Sequence, residues 1–167
     1  MPKRLRSNMH DLLKLRGAIE FELRNAVTGE IVQRGKGKNT VTCSGRGWAL
    51  AKLTGGSSNA GVLTTLAIGS VSTAAASNKS TMEGYLTIRA LGTTALTTAT
   101  DSACTFTGAA SFASNETWSN SSQIGEFALY NSASTGGGGT MFNRLNTATY
   151  INFATSNTLA VTVTITN

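Results

Sequence analysis

The stretch Thr158-Leu159-Ala160-Val161-Thr162-Val163-Thr164-Ile165-Thr166 decides the fold. Leu159, Val161, Val163 and Ile165 fall on one side of an extended chain; Ala160, Thr162, Thr164 and Thr166 fall on the other. Successive strand side chains point to opposite faces, so this period of two marks a half-buried strand. The apolar face must be covered, whereas the hydroxyl face suits water or a neighbouring subunit. The same alternation recurs in Ile19-Glu20-Phe21-Glu22-Leu23-Arg24. Turn chemistry in Asn25-Ala26-Val27-Thr28-Gly29-Glu30 then leads into Ile31-Val32-Gln33-Arg34, and the whole reads as a hairpin.

Between these two ends the pattern predicts strands at 40–43, 62–68, 85–90, 104–112, 124–130, 140–144 and 149–153. Residues 35–39, Gly35-Lys36-Gly37-Lys38-Asn39, read as a basic loop. Ser/Gly/Ala/Asn-rich connections are expected at 55–61, 70–81, 92–102 and 131–139, the last with four consecutive glycines. One helix is expected over 44–53, with Ser44 as its cap, Ala49, Leu50 and Leu53 on one face, and Gly55-Gly56 as its stop. Eight to ten short strands at this spacing predict an all-β fold. We expect a single β-sandwich or jelly-roll-like domain over 17–167, with one short helix and an N-terminal arm over 1–16.

Composition agrees. The chain has 167 residues, room for about one domain. Thr and Ser together supply 43 of them, and charged residues only 13%. Thr is β-branched and tolerates water, so this bias fits exposed sheet. Hydrophobic residues at 40% are too many for a chain lacking core material. No window approaches the roughly 18 apolar residues of a membrane span, and no secretory signal is visible. The expected setting is the cytosol, without a membrane partner.

The net charge of +6 is unevenly spread. Residues 1–52 hold eleven of the fourteen Lys and Arg but only four of the eight acids, and the remainder is close to neutral. A basic end serving a neutral body is the natural reading. Within the arm, Lys3, Arg4, Arg6, Lys14 and Arg16 supply charge. Met9, Leu12 and Leu13 lie at helical i, i+3, i+4 spacing, a pattern too short to be stable unless docked. We take Lys3, Arg4, Arg6, Leu12, Leu13, Lys14 and Arg16 as the partner-binding residues. Nucleic acid is the less favoured partner for them. The arm could neutralise phosphates, but no helix-turn-helix, zinc finger or aromatic-rich basic sheet accompanies it.

The catalytic inventory is poor. The single His, His10, sits in the arm with no ligand cluster around it. Cys43 and Cys104 lack the close spacing of a zinc or redox motif and read as reduced, small core residues, with a disulfide between them as the alternative. Lys36-Gly37-Lys38-Asn39-Thr40 lacks the spacing of a phosphate loop. No G-x-S-x-G elbow is present, and the carboxylates are mostly isolated. No catalytic residue, cofactor or metal is expected. Trp118, near Asn115, Glu116 and Asn120, is the one cluster that suits sugar binding, although a core role suits it better. Glu126 and Arg144 are lone charges in apolar-rich strands separated by a glycine-rich turn, and we expect them to pair across adjacent strands.

The order of the segments resembles a group of small virion proteins of tailed bacteriophages, over about residues 18–167. The residues that carry it begin with the Val27-Thr28-Gly29-Glu30 turn. Next comes the run from Asn39 through Val41, Gly45, Arg46, Leu50, Ala51 and Leu53 to Gly55-Gly56. Then follow Leu66-Ala67-Ile68-Gly69, the strand from Ile124 through Glu126 to Leu129-Tyr130-Asn131, and Phe142-Asn143-Arg144. A long basic arm is not part of that pattern. The resemblance implies a structural part of a virion, made in the host cytoplasm and oligomeric within an assembly, with capsid or tail proteins as partners. With neither heptads nor a fibre repeat in the chain, capsid decoration ranks first. A tail, neck or fibre accessory ranks second, and a carbohydrate-binding β-sandwich third.

Overall fold

A computed structural model of the chain describes residues 15–54, 62–72, 78, 80–99, 103–116, 118, 122–132 and 139–166. Nine strands and one helix follow in the order β1 (Arg16–Asn25), β2 (Ile31–Val41), α1 (Cys43–Thr54), β3 (Thr65–Gly69), β4 (Tyr85–Ala90), β5 (Thr93–Ala99), β6 (Ala103–Phe112), β7 (Gln123–Tyr130), β8 (Met141–Asn152) and β9 (Asn157–Thr166). The protein is an all-β single domain built on one antiparallel sheet, in the order β4-β3-β7-β8-β2-β1-β9-β6-β5.

The chain connectivity requires this sheet to curl. Laid flat, nine strands about 4.8 Å apart would separate the two edge strands by about 38 Å. Yet the edge strands β4 and β5 are joined by Leu91 and Gly92 alone. Three Cα steps from Ala90 to Thr93 reach only about 11 Å. The turn is held by Leu91 N–H donating to Thr64 O (2.7 Å) and Gly92 N–H donating to Ala109 O (2.9 Å). The all-β expectation is thus met by one continuous, curled antiparallel sheet over a shared core, not by the two separate sheets of the expected sandwich.

The inward side chains form that core: Ile19, Phe21 and Leu23 of β1, Leu66 and Ile68 of β3, Phe112 of β6, Ile124, Phe127 and Leu129 of β7, and Leu159, Val161, Val163 and Ile165 of β9. The rings of Phe21 and Phe127, from opposite halves of the sheet, stack with centroids 5.9 Å apart. Burying such a side chain stabilises the fold by about 1.5–3 kcal/mol. Strand β9 lies between β1 and β6 in full register, from Arg16 opposite Thr166 to Asn25 opposite Asn157.

Several boundaries differ from the expectation. Residues 35–39 are not a loop but the middle of β2, with Gly35 opposite Phe21 and Gly37 opposite Ile19. A Cβ on Gly35 would sit 2.6 Å from the Phe21 ring, and one on Gly37 2.7 Å from Leu145. Those glycines make room for core side chains rather than for a turn. Residues 93–99 form β5, and the two segments at 140–144 and 149–153 merge into β8. The hairpin turn does need its glycine: Gly29 has φ of 72°. Asn25 Oδ1 accepts from the N–H groups of Val27 and Thr28.

Helix α1 is capped by Thr42, not Ser44: Gly45 N–H donates to Thr42 Oγ1 at 3.0 Å. The helix docks on β8 through Gly45 and the edge of Trp48, whose ring lies 5.6 Å from that of Phe142. Leu50, expected on the apolar face, is exposed, because the docking face is set by Gly45, Trp48 and Ala49. Cys43 is an exposed free thiol rather than a core residue, since it opens the helix on the solvent side. The Cys104 side chain lies outside the described residues.

Candidate functional site

Of the expected arm residues, Lys3, Arg4, Arg6, Leu12, Leu13 and Lys14 lie outside the described residues, as does His10. Arg16 is the first residue of β1, exposed and opposite Thr166. Leu15 before it packs against the core. Leu15 and Arg16, expected in the arm, thus belong to the body.

The outer face beside that entry point is built from strand alternation. Across β2, β1, β9, β6 and β5 one row reads Lys36, Glu20, Thr162, Ala109, Thr93. The next reads Lys38, Ala18, Thr164, Thr107, Ala95. Charge is thus confined to the β1–β2 hairpin, and the face beyond it carries small, uncharged side chains. On the hairpin, Lys36 pairs with Glu20, and Arg24 NH2 sits 2.6 Å from Glu22 Oε2.

A cleft of about 370 Å³ opens between Gln33–Lys38 of β2 and Leu145, Asn146, Thr147 and Thr149 of β8, with Phe21 and Leu145 in its wall. It exists because β2, paired with β1 from Ile31 to Asn39, meets β8 only at its far end as the sheet curls. Among the described residues only Thr40 and Val41 pair with β8, opposite Arg144 and Asn143. Sequence reasoning missed this feature. The signal was the Arg34-Gly35-Lys36-Gly37-Lys38 alternation, which has strand period but turn composition.

On the other half of the sheet, the structure brings Glu126 and Arg144 together. Arg144 Nε donates to Glu126 Oε2 at 2.7 Å, and both side chains are completely buried. They face away from the main core, on the side that holds Ala67, Ala128, Tyr130 and Met141. A strap from the β3–β4 connection covers them. Met82 of the strap packs on this second cluster, Gly84 N–H donates to Glu126 Oε1 at 2.7 Å, and Glu83 Oε2 lies 3.6 Å from Arg144. The strap is further held by Asn146 Nδ2 donating to Val71 O and by Ser72 against the Tyr150 hydroxyl. Glu83 and the strap escaped sequence reasoning, because a small-residue loop carries no signal of what it covers.

Tyr130 and Tyr85 have hydroxyl pKa values above the usual tyrosine value, both chiefly because burial disfavours the phenolate. The Tyr130 hydroxyl is hydrogen-bonded to the Met82 backbone. A buried ion pair under a closed strap offers no surface to a substrate, so its role is structural. Trp118 packs between Phe112 and Phe153, with ring centroids at 6.5 and 4.5 Å. Nearby Glu116 is bound by Arg89 at 2.7 Å. That aromatic side chain serves the core.

Among the described residues no group of three or more His, Cys, Asp or Glu is placed to hold a metal, and no helix is long and apolar enough to cross a membrane. No protein-family model, curated protein or solved structure matches the chain.

Proposed function

We propose that the protein is a non-enzymatic structural component of a tailed-phage virion, a capsid decoration protein that bridges neighbouring shell subunits. The observation that carries this reading is the outer face of β9, β6 and β5. There Ala160, Thr162, Thr164, Thr107, Ala109, Thr93 and Ala95 present a surface of small side chains without charge. Low charge leaves little to oppose close packing against another protein. The arm joins the body at the end of this same face, where Arg16, Thr166 and Thr105 lie in one row.

In this reading the mechanism is physical. Arm and face bury area across a junction between shell subunits, and each copy adds binding energy that must be overcome before the lattice opens. A standard stable contact buries about 1,200–2,000 Å² in total. The basic arm residues Lys3, Arg4, Arg6 and Lys14, with Arg16 at the start of β1, supply charge for an acidic neighbour, and Leu12 and Leu13 serve as apolar anchors.

Immunogold labelling of purified virions that carry the gene tests it. Label over the whole shell is expected, with incorporation strongly reduced when residues 1–14 are deleted from an otherwise folded chain. Label confined to the neck or tail would assign the accessory role instead, and particles without label would overturn the virion reading.

A further inference from the structure

Part of the β2 edge is open among the described residues. On one side, β2 is paired with β1 from Ile31 to Asn39. On the other, only Thr40 and Val41 find a partner strand among the described residues, so the segment 31–38 presents an unpaired ladder of backbone donors and acceptors to the cleft. Unpaired edges of this kind template the addition of another strand.

The side chains along the edge specify what would be added. Toward the outer face point Arg34, Lys36 and Lys38, all exposed. The nearest carboxylates are already engaged: Glu20 faces Lys36, and Glu22, which lies opposite Arg34, is held by Arg24. Arg34 and Lys38 thus have no ion-pair partner among the described residues. Toward the inner face, Gly35 and Gly37 carry no side chain, and Phe21 and Leu145 line the cleft in their place. A strand laid beside β2 would alternate in the same way, placing every second side chain next to a cation and the others over the two apolar groups. Its apolar side chains would need to be compact, because Phe21 and Leu145 already fill the space above the glycines.

We infer that the β2 edge binds an extended segment of a partner protein in which acidic and small apolar residues alternate. The chain's own arm is the wrong occupant, because the positive charge of Lys3, Arg4, Arg6 and Lys14 would repel the edge cations. This inference concerns the edge alone and does not depend on the virion reading, since its test needs only the purified full chain.

The probe is a nine-residue peptide of alternating Glu and Val, with its termini blocked. Titration calorimetry is expected to detect binding that weakens as salt rises. Arg34→Glu combined with Lys38→Glu should weaken it by roughly tenfold or more, because favourable cross-strand pairs become repulsive. Methylating the peptide amides on one edge should abolish it. Both substituted side chains are exposed, and an unchanged circular dichroism spectrum confirms that the variant folds. Equal binding of an alternating Lys and Val peptide overturns the proposal, as does tighter binding of a single-stranded oligonucleotide. No binding of the acidic peptide at millimolar concentration also overturns it, and would assign the cations to guarding the edge against aggregation.

Discussion

Arg144 reaches Glu126 diagonally: Glu126 stands opposite Asn146 and Arg144 opposite Ala128, yet Nε and Oε2 meet at 2.7 Å with both side chains completely buried. The diagonal ties β7 to β8, and Glu126 Oε1 simultaneously accepts Gly84 N–H from the strap. One carboxylate thus fixes both a strand register and the cover above it.

Arg144→Met should destabilise the protein by about 3–5 kcal/mol, because it leaves buried carboxylate charge without a counterion. Glu126→Leu combined with Arg144→Met should recover much of that loss, since neither charge then remains. Urea unfolding measures both values. In the single variant, hydrogen exchange at Gly84 should rise as the strap loosens. A double variant as unstable as the single one would argue against an uncompensated charge as the cause.

Two glycines on one helix should respond oppositely to alanine. A Cβ at Gly45 would fall 2.1 Å from the Phe142 carbonyl oxygen, backbone that cannot turn aside. Gly45→Ala should cost about 1–3 kcal/mol and shift Trp48 fluorescence as α1 moves off β8. A Cβ at Gly47 meets nothing within 4 Å, so Gly47→Ala should stabilise by about 0.5–1 kcal/mol. Thermal unfolding of the pair checks the sign of each change.

Stability should fall in alkali. Burial raises the hydroxyl pKa of Tyr130 and Tyr85 above the usual 10.0. Above that value the unfolded chain releases these protons while the folded one retains them, so the unfolded state binds fewer protons and stability declines with pH. The contribution is fully present below the unfolded value and lost as pH rises through the folded ones. Tyr130→Phe should flatten the decline, measured by urea midpoints across pH 9–11. An unchanged slope would place the alkaline loss elsewhere.

Strand identity was legible wherever burial alternates simply. In β1 and β9, apolar residues fill every second position because one face meets the core and the other does not, and the period shows this directly. The pairing of Glu126 with Arg144 was legible for a related reason: lone charges in apolar strands must find each other. Local composition misled where a distant side chain sets the requirement. Gly35 and Gly37 look like a turn, but they are small because Phe21 and Leu145 occupy the space above them. Thr93–Ala99 looks like a loop, yet it is a strand because β6 offers it a hydrogen-bonding partner.

The amino-acid sequence by itself determined the class of this protein, since alternation, threonine content and turn residues are local properties that need no third dimension. It also determined that charge gathers toward the N-terminal end. Only the tertiary structure decided that, among the described residues, nine strands roll into one sheet, a strap seals the ion pair, and β2 leaves part of its edge unpaired. Each of those depends on which distant segments share a hydrogen-bonded neighbour, and chain curvature, not sequence period, sets that.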